Sequence, residues 1–162
     1  MIVRPIEAGD AAVWTEMRAK LWPDADLAEL ERETAAFFTG GASSLVSAAF
    51  IADLGDTERI GFIELAIRAF SDGCDSAPVP HVEGWYVEEC ARGHGVGRQL
   101  MQTAENWAHD RGFVELASDT EIHNESSLRA HEACGFEEVE RLIKFRKRIV
   151  SDDARATPFP LD

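Results

Sequence analysis

Apolar positions recur at two different periods along this chain, and the changes of period mark its elements. Ile2 to Ile6 reads as a first strand. Ala11, Val13, Trp14, Met17 and Leu21 then fall at helical spacing behind Asp10, a cap residue, and Trp22-Pro23 stops the run. A second helix is predicted from Asp26 to Phe38, with Leu27, Leu30, Ala35 and Phe38 near helical spacing and Gly40-Gly41 at its end. Leu45 to Leu54 and Arg59 to Ile67 read as strands, joined through Gly55-Asp56-Thr57-Glu58 as a hairpin. The stretch Ala69 to Pro80, with Gly73, Pro78 and Pro80, is a loop too long to be a mere turn, which hints at function.

His81 to Val87 reads as an apolar strand with one acid in it, Glu83. It feeds a glycine-rich turn, Arg92-Gly93-His94-Gly95-Val96-Gly97-Arg98. The helix beyond is apolar at Val96, Leu100, Ala104, Trp107 and Ala108, a stripe that fixes one face onto a sheet. Glycines leave backbone N–H groups uncovered, and a helix start presents unpaired donors and the positive end of a dipole. Arg92, His94 and Arg98 add cationic or polar side chains at the same place, so the segment predicts a pyrophosphate cradle. Phe113 to Ser118 reads as another strand, reached by the crossover helix and therefore parallel to its neighbour. Asn124 to Ala133 reads as a helix, and Phe136 to Ile149 as two strands broken near Arg141. Residues 1–150 are expected to form one domain; 151–162, with Pro158 and Pro160, is expected to be a mobile tail.

A length of 162 residues suits a single core. No apolar run reaches the roughly 18 residues needed to cross a bilayer, so no membrane association is expected. Met1-Ile2-Val3-Arg4-Pro5 lacks the layout of a secretory signal. Cys74, Cys90 and Cys134 are odd in number and show no Cys-x-x-Cys spacing, so neither disulfides nor a metal site is expected, and a cytoplasmic protein is the economical reading. The formal net charge of −14 argues against nucleic acid as a partner. It also opposes a polyanionic ligand in general, which makes the Arg92/Arg98 island more telling. A cationic substrate would be drawn to such a surface; solubility alone is the other explanation of the charge.

The cradle is not a P-loop, because no Gly-Lys-Ser/Thr follows, nor a dinucleotide fingerprint, whose first glycine would open the turn. What stands there is Arg-x-x-Gly-x-Gly, from Arg92 to Gly97. Downstream, Asn124 is followed by Leu128-Arg129-Ala130-His131-Glu132-Ala133-Cys134-Gly135-Phe136. Together these strings resemble the two coenzyme A motifs of the GNAT superfamily of N-acetyltransferases. The resemblance implies an α/β (α+β) GNAT fold: a mixed central sheet of about seven strands, splayed at its middle, with about four helices against it. It also implies acetyl-CoA as cosubstrate. Arg92, Gly93, His94, Gly95, Val96, Gly97 and Arg98 would hold its pyrophosphate, and Asn124 and the backbone of Trp85, Tyr86 and Val87 its pantetheine arm. The Val87 N–H would polarise the thioester carbonyl.

Across nearly the whole chain, five further strings in order resemble bacterial aminoglycoside 6'-N-acetyltransferases: Leu21-Trp22-Pro23, Asp72 to Val79, Val82-Glu83-Gly84, Ala117-Ser118-Asp119-Thr120 and Gly135 to Arg141. The chemistry agrees, since a protonated amine must lose a proton before it can attack a thioester, and a carboxylate can take it. By this resemblance Asp119 would hold the 6'-ammonium, with Glu83 as base or second anchor. Asp75 and Glu138 would meet other ammonium groups, and Trp22 would face a sugar ring. An inward carboxylate such as Glu83 is costly unless paired or functional. Many superfamily members carry a tyrosine where this chain has His131, so either His131 protonates the leaving thiolate or the thiolate leaves unaided. The acidic residues suit any cationic amine, so a polyamine, another small amine or a protein lysine remains an alternative acceptor. A non-catalytic acetyl-CoA-binding module is a third reading. A homodimer through the last strands is a further implication of the resemblance.

Overall fold

The computed structural model describes residues 1–40, 45–55 and 58–149. Among them, five strands form one sheet in the order β1-β2-β3-β4-β5, with β1 Ile2–Pro5, β2 Ala48–Gly55, β3 Glu58–Arg68, β4 Val79–Val87 and β5 Ala117–Ser118. Four α-helices accompany it: α1 Ala11–Leu21, α2 Leu27–Thr39, α3 Val96–His109 and α4 Glu125–Ala133. Strands β1 to β4 are antiparallel to their neighbours, and β4 and β5 are parallel, as the crossover through α3 requires.

The alternation along β2 explains the layering. Ala48, Phe50 and Ala52 join Val96, Leu100, Met101 and Ala104 of α3 in one buried cluster. Ala49 and Ile51 point the other way and join Trp14 and Met17 of α1 in a second. The sheet is thus covered on both faces. Asp26 caps α2, its carboxylate accepting from the Ala28 N–H at 2.8 Å, and Gly40 ends that helix in the left-handed region at φ 64°.

Several expectations from the sequence need correction. Asp10 does not cap α1 with its side chain. It is drawn into a buried lattice instead, with Arg4 at 2.7 Å and Arg59 at 2.9 Å, which Asp53 completes. The expected strand from Phe113 shrinks to Ala117–Ser118, and Phe136–Ile149 forms no strand. The sheet therefore has five strands among the described residues where about seven were expected. The physical reason is that a strand needs a partner edge. Only two residues of β5 pair with β4, and the apolar Leu142, Ile143, Phe145 and Ile149 are exposed. The expected hairpin between β2 and β3 is present as an antiparallel pair, with positions 56 and 57 of its turn outside the described residues. The tail at 151–162 also lies outside them.

The pairing of β4 positions the site. On one side β4 pairs with β3 along its length, with one irregularity: Glu64 faces Gly84 and Leu65 faces Val82, so Glu83 is the extra residue of a β-bulge. On the other side β4 pairs with β5 only at His81 and Val82. From Glu83 onward that edge of β4 is open.

Candidate active site

The open edge of β4 leads into the glycine-rich turn. The N–H of Glu88 donates to Ile60 of β3, while the carbonyl of Val87 accepts from the Arg92 guanidinium at 2.9 Å. Ladder alternation therefore turns the backbone groups of Val87 and Trp85 toward the open side. Gly93 and Gly95 take φ of 77° and 81°, and a Cβ on either would meet nothing within 4 Å, so the turn is bare on its outer face. Gly97 differs, because a Cβ there would stand 3.1 Å from the Trp85 ring; its smallness serves the packing of α3 on β4.

The start of α3 fits an anion. Helices α2 and α4 are capped by the side chains of Asp26 and Asn124, whereas no side chain caps α3, whose cap residue is Gly95. Uncapped N–H donors beside a bare turn and an open strand edge suit a pyrophosphate with an extended arm, the chemistry of coenzyme A. The side chains around the turn are partly committed. Arg92 also lies over the Tyr86 ring at 5.9 Å, His94 Nδ1 contacts the Arg92 carbonyl at 2.8 Å, and Arg98 donates to the Ala133 carbonyl at the end of α4. Tyr86 donates its hydroxyl to Glu88 at 3.0 Å.

Beyond the bulge, the two acids singled out by the sequence meet over Arg68 of β3. Arg68 donates to both oxygens of Glu83, at 2.8 and 2.7 Å, and lies 3.6 Å from Asp119. Asp119, just past β5, is also 3.4 Å from Nε2 of His81. His81 first, then Arg68 and Lys144, hold the Asp119 carboxyl below the usual carboxylate range, against the desolvation that raises it. Glu83 is thus neutralised by a fork-to-fork pair, while the side chain of Asp119 remains 67% exposed.

An open cleft of about 480 Å³ adjoins this group, lined by Glu83, Arg68, Trp22, Glu33, Glu64 and Arg18 among others. Trp22, which ends α1, packs tightly over Gly84, where an added Cβ would come within 2.9 Å of the ring. Glu64 is buried at the cleft floor, accepting from the Trp14 indole at 3.1 Å and paired with Arg18 at 3.2 Å. Burial pushes its carboxyl up to about 7, with Arg18 opposing.

The remaining candidates lie apart from this cleft. Asp75 sits in a loop pinned by Glu115, which accepts from the backbone N–H of Asp75 at 3.0 Å and of Ser76 at 2.6 Å. Glu138 is paired with Arg141 on the exposed chain after α4. Asn124 caps α4 by accepting from the Ser127 N–H at 3.0 Å. His131 has both ring nitrogens engaged, Nδ1 with the Ser127 carbonyl and Nε2 with the Ser118 hydroxyl, each at 2.8 Å. Its ring also meets Trp85 and Phe136 edge-on, so it ties α4 to β4 and β5.

Sequence reasoning missed Arg68, His81, Glu64, Arg18 and Glu33. Glu64 carried the same signal as Glu83, a carboxylate inside an apolar strand. His81 stands likewise among apolar residues. Arg68 and Glu33 look like ordinary end-of-element charges and carry no such signal.

Residues 12–136 match the acetyltransferase (GNAT) family. The chain is 45% identical over 146 residues to an aminoglycoside N(6')-acetyltransferase type 1 of Klebsiella aerogenes, covering 90% of this chain and 95% of that one. It is 41% identical to the protein of that name from Stenotrophomonas maltophilia, over 89% of this chain and 91% of that one. Among solved structures, AAC(6')-Iy in complex with the bisubstrate analog CoA-S-monomethyl-acetylneamine superposes with a TM-score of 0.82 at 34% identity, over 91% of this chain and 98% of that one. The apo form of AAC(6')-IG from Acinetobacter haemolyticus gives 0.82 at 30% identity, over 93% and 100%.

Proposed function

The chain belongs to the GNAT acetyltransferase family, and we propose that it is an aminoglycoside 6'-N-acetyltransferase, using acetyl-CoA as donor and conferring resistance to those antibiotics. The observation that carries this reading is the exposed Asp119, poised beside an Arg68-bound Glu83 where β4 and β5 part. Likeness over nine-tenths of the chain to enzymes named for 6'-N-acetylation supports the choice of amine.

Acetyl-CoA supplies an electrophilic thioester. The chain supplies its seat: the bare Gly93–Gly95 turn and the uncapped start of α3, with Val96 to Arg98, for the pyrophosphate, and the open edge from Trp85 to Val87 for the arm. The Val87 N–H donates to the carbonyl oxygen where charge develops. Asp119 pairs with the 6'-ammonium and takes its proton, so that the amine attacks directly in a ternary complex. Glu83 does not act as that base; it fixes Arg68, which in turn positions Asp119. Trp22 offers a flat face to a sugar ring beside the cleft. His131 holds α4 in place, and the thiolate leaves unaided. Asp75 and Glu138 stand outside the first contact with the reacting amine.

The protein works in the cytoplasm, where acetyl-CoA is made; no helix of the described residues is long and apolar enough to cross a membrane. It works as a homodimer, in which a second copy covers the apolar stretch from Leu142 to Ile149. No group of three or more His, Cys, Asp or Glu side chains that could hold a metal ion stands together among the described residues.

Thiol release from acetyl-CoA with neomycin and paromomycin tests the reading, because these differ at the 6' position as amine and hydroxyl. Turnover with neomycin alone is expected. Equal turnover with both would move the reaction to another amine. Silence with both, and turnover with a polyamine or a lysine peptide, would replace the antibiotic as acceptor.

A further inference from the structure

His81 is 1% exposed and stands in β4 opposite Ala66 of β3 and Ala117 of β5, small neighbours that leave room for its ring. Its Nε2 lies 3.4 Å from Asp119, and its Nδ1 lies 3.7 Å from Glu83, too far for a hydrogen bond. That Nδ1 is buried with no hydrogen-bond partner among the described residues. With Nδ1 unpartnered, Nε2, 3.4 Å from the Asp119 carboxylate, is the working nitrogen of the ring.

The charges around it define the task. From β3 comes Arg68, from β4 Glu83, from the end of β5 Asp119, and from the chain after α4 Lys144, which acts on Asp119. From α1 the buried charge is Arg18, already paired with Glu33 and Glu64, and the buried face of α3 is apolar. Arg68 and Glu83 cancel. The Arg68–Glu83–Asp119 group therefore carries one net negative charge with His81 neutral, and none with His81 protonated.

We infer that His81 is a positioning residue whose Nε2–H orients the Asp119 carboxylate toward the substrate ammonium. The inference rests on the amine-acetylation reading above. An N–H bond of the ammonium breaks and its proton passes to the Asp119 carboxylate; the amine keeps the electron pair with which it attacks the thioester carbonyl. The C–S bond breaks with its pair on sulfur. Of the two protons that the nitrogen loses overall, one ends on the thiolate and the other passes from the exposed Asp119 to solvent. The same His81 N–H holds the Asp119 carboxyl below its usual range, so the acid is ionised when the ammonium arrives. Protonated in advance, His81 would compete with the substrate for Asp119, so acid should switch the enzyme off.

Two measurements on the full chain test this. The first follows the ring signals of labelled His81 by NMR from pH 5 to 9, assigned through the backbone. Asp119→Asn should move the midpoint of their pH response down, because an anionic neighbour is lost. The second compares His81→Gln with the wild type. Turnover should fall about tenfold or more and the acid limb of its pH profile should disappear, while coenzyme affinity stays within about twofold. A His81 ring that keeps one charge state throughout, or a midpoint indifferent to Asp119→Asn, overturns the inference. So does a folded His81→Gln enzyme with the wild-type pH profile. The NMR titration decides even where the variant does not fold. It also separates this inference from the substrate: no turnover with any amine, together with a coupled titration, would sink the acetylation reading and leave the His81–Asp119 linkage standing.

Discussion

Arg68 holds both carboxylate oxygens of Glu83, at 2.8 and 2.7 Å, and stands 3.6 Å from Asp119. One guanidinium thus sorts two acids that look equivalent in the sequence. Glu83 becomes the fixed anion of a bidentate pair, and Asp119 is left exposed, the acid open to the cation of the proposed reaction.

Substitution should separate them. Asp119→Asn is expected to lower kcat by roughly a hundredfold to ten-thousandfold, the usual worth of a positioned base, with coenzyme affinity unchanged by calorimetry. Glu83→Gln leaves Arg68 without its counter-ion and brings the local charge to zero. Its loss should appear mainly as a rise in KM, on the order of tenfold. Equal kcat losses from both would return Glu83 to the chemistry.

Gly95→Val tests the cradle. At φ 81° an L-residue costs about 1–2 kcal/mol, and the added side chain would stand on the bare face of the turn. We expect coenzyme binding to weaken at least tenfold, measured by calorimetry, on a protein that still melts cooperatively. Retained affinity would place the pyrophosphate elsewhere.

Glu64 makes stability depend on pH in an unusual direction for a carboxylate. Its folded carboxyl is raised to about 7 from 4.5, so between these values the native state holds the proton more tightly than the unfolded chain. The contribution is complete below the unfolded value and is lost as pH rises toward 7. The lowered acids, Asp10, Asp53, Glu115 and Asp119, act in the opposite sense and at lower pH. Urea unfolding of wild type and Glu64→Gln at pH 5 and 7.5 should show their stability difference change by about 2–3 kcal/mol, against the wild type at the higher pH. A difference independent of pH would mean that Glu64 is already ionised at pH 5.

The exposed apolar chain after α4 predicts an assembly. Phe145 is 92% exposed and Ile143 and Ile149 are nearly as open, in a stretch with no strand partner. Light scattering should find a dimer for the wild type, and Phe145→Asp should shift it to monomer at micromolar concentration. A monomeric wild type would remove the second copy from the account.

Much of this was legible along the chain. Apolar runs marked β2, β3 and β4, helical spacing marked α1 to α3, and Asn124 with Gly135-Phe136 bounded α4, because each depends on residues close in sequence. The glycine turn and helix start announced an anion site for the same reason: uncapped N–H groups follow from backbone geometry close in sequence. Where a partner was missing, the reading failed. Phe136–Ile149 has the apolar content of strands, yet a strand forms only against an edge, and β5 offers two residues.

The amino-acid sequence by itself determined the helices, the first four strands and the glycine-rich turn before α3, since these rest on apolar runs, helical spacing and turns a few residues long. The division of labour among acids was decided by tertiary structure alone. Arg68, Glu83, His81 and Asp119 come from two strands and the chain just past a third, and the β-bulge at Glu83 helps set which of them meet. Charge and desolvation act through space over a few ångströms, and those distances exist only once β3, β4 and β5 have paired.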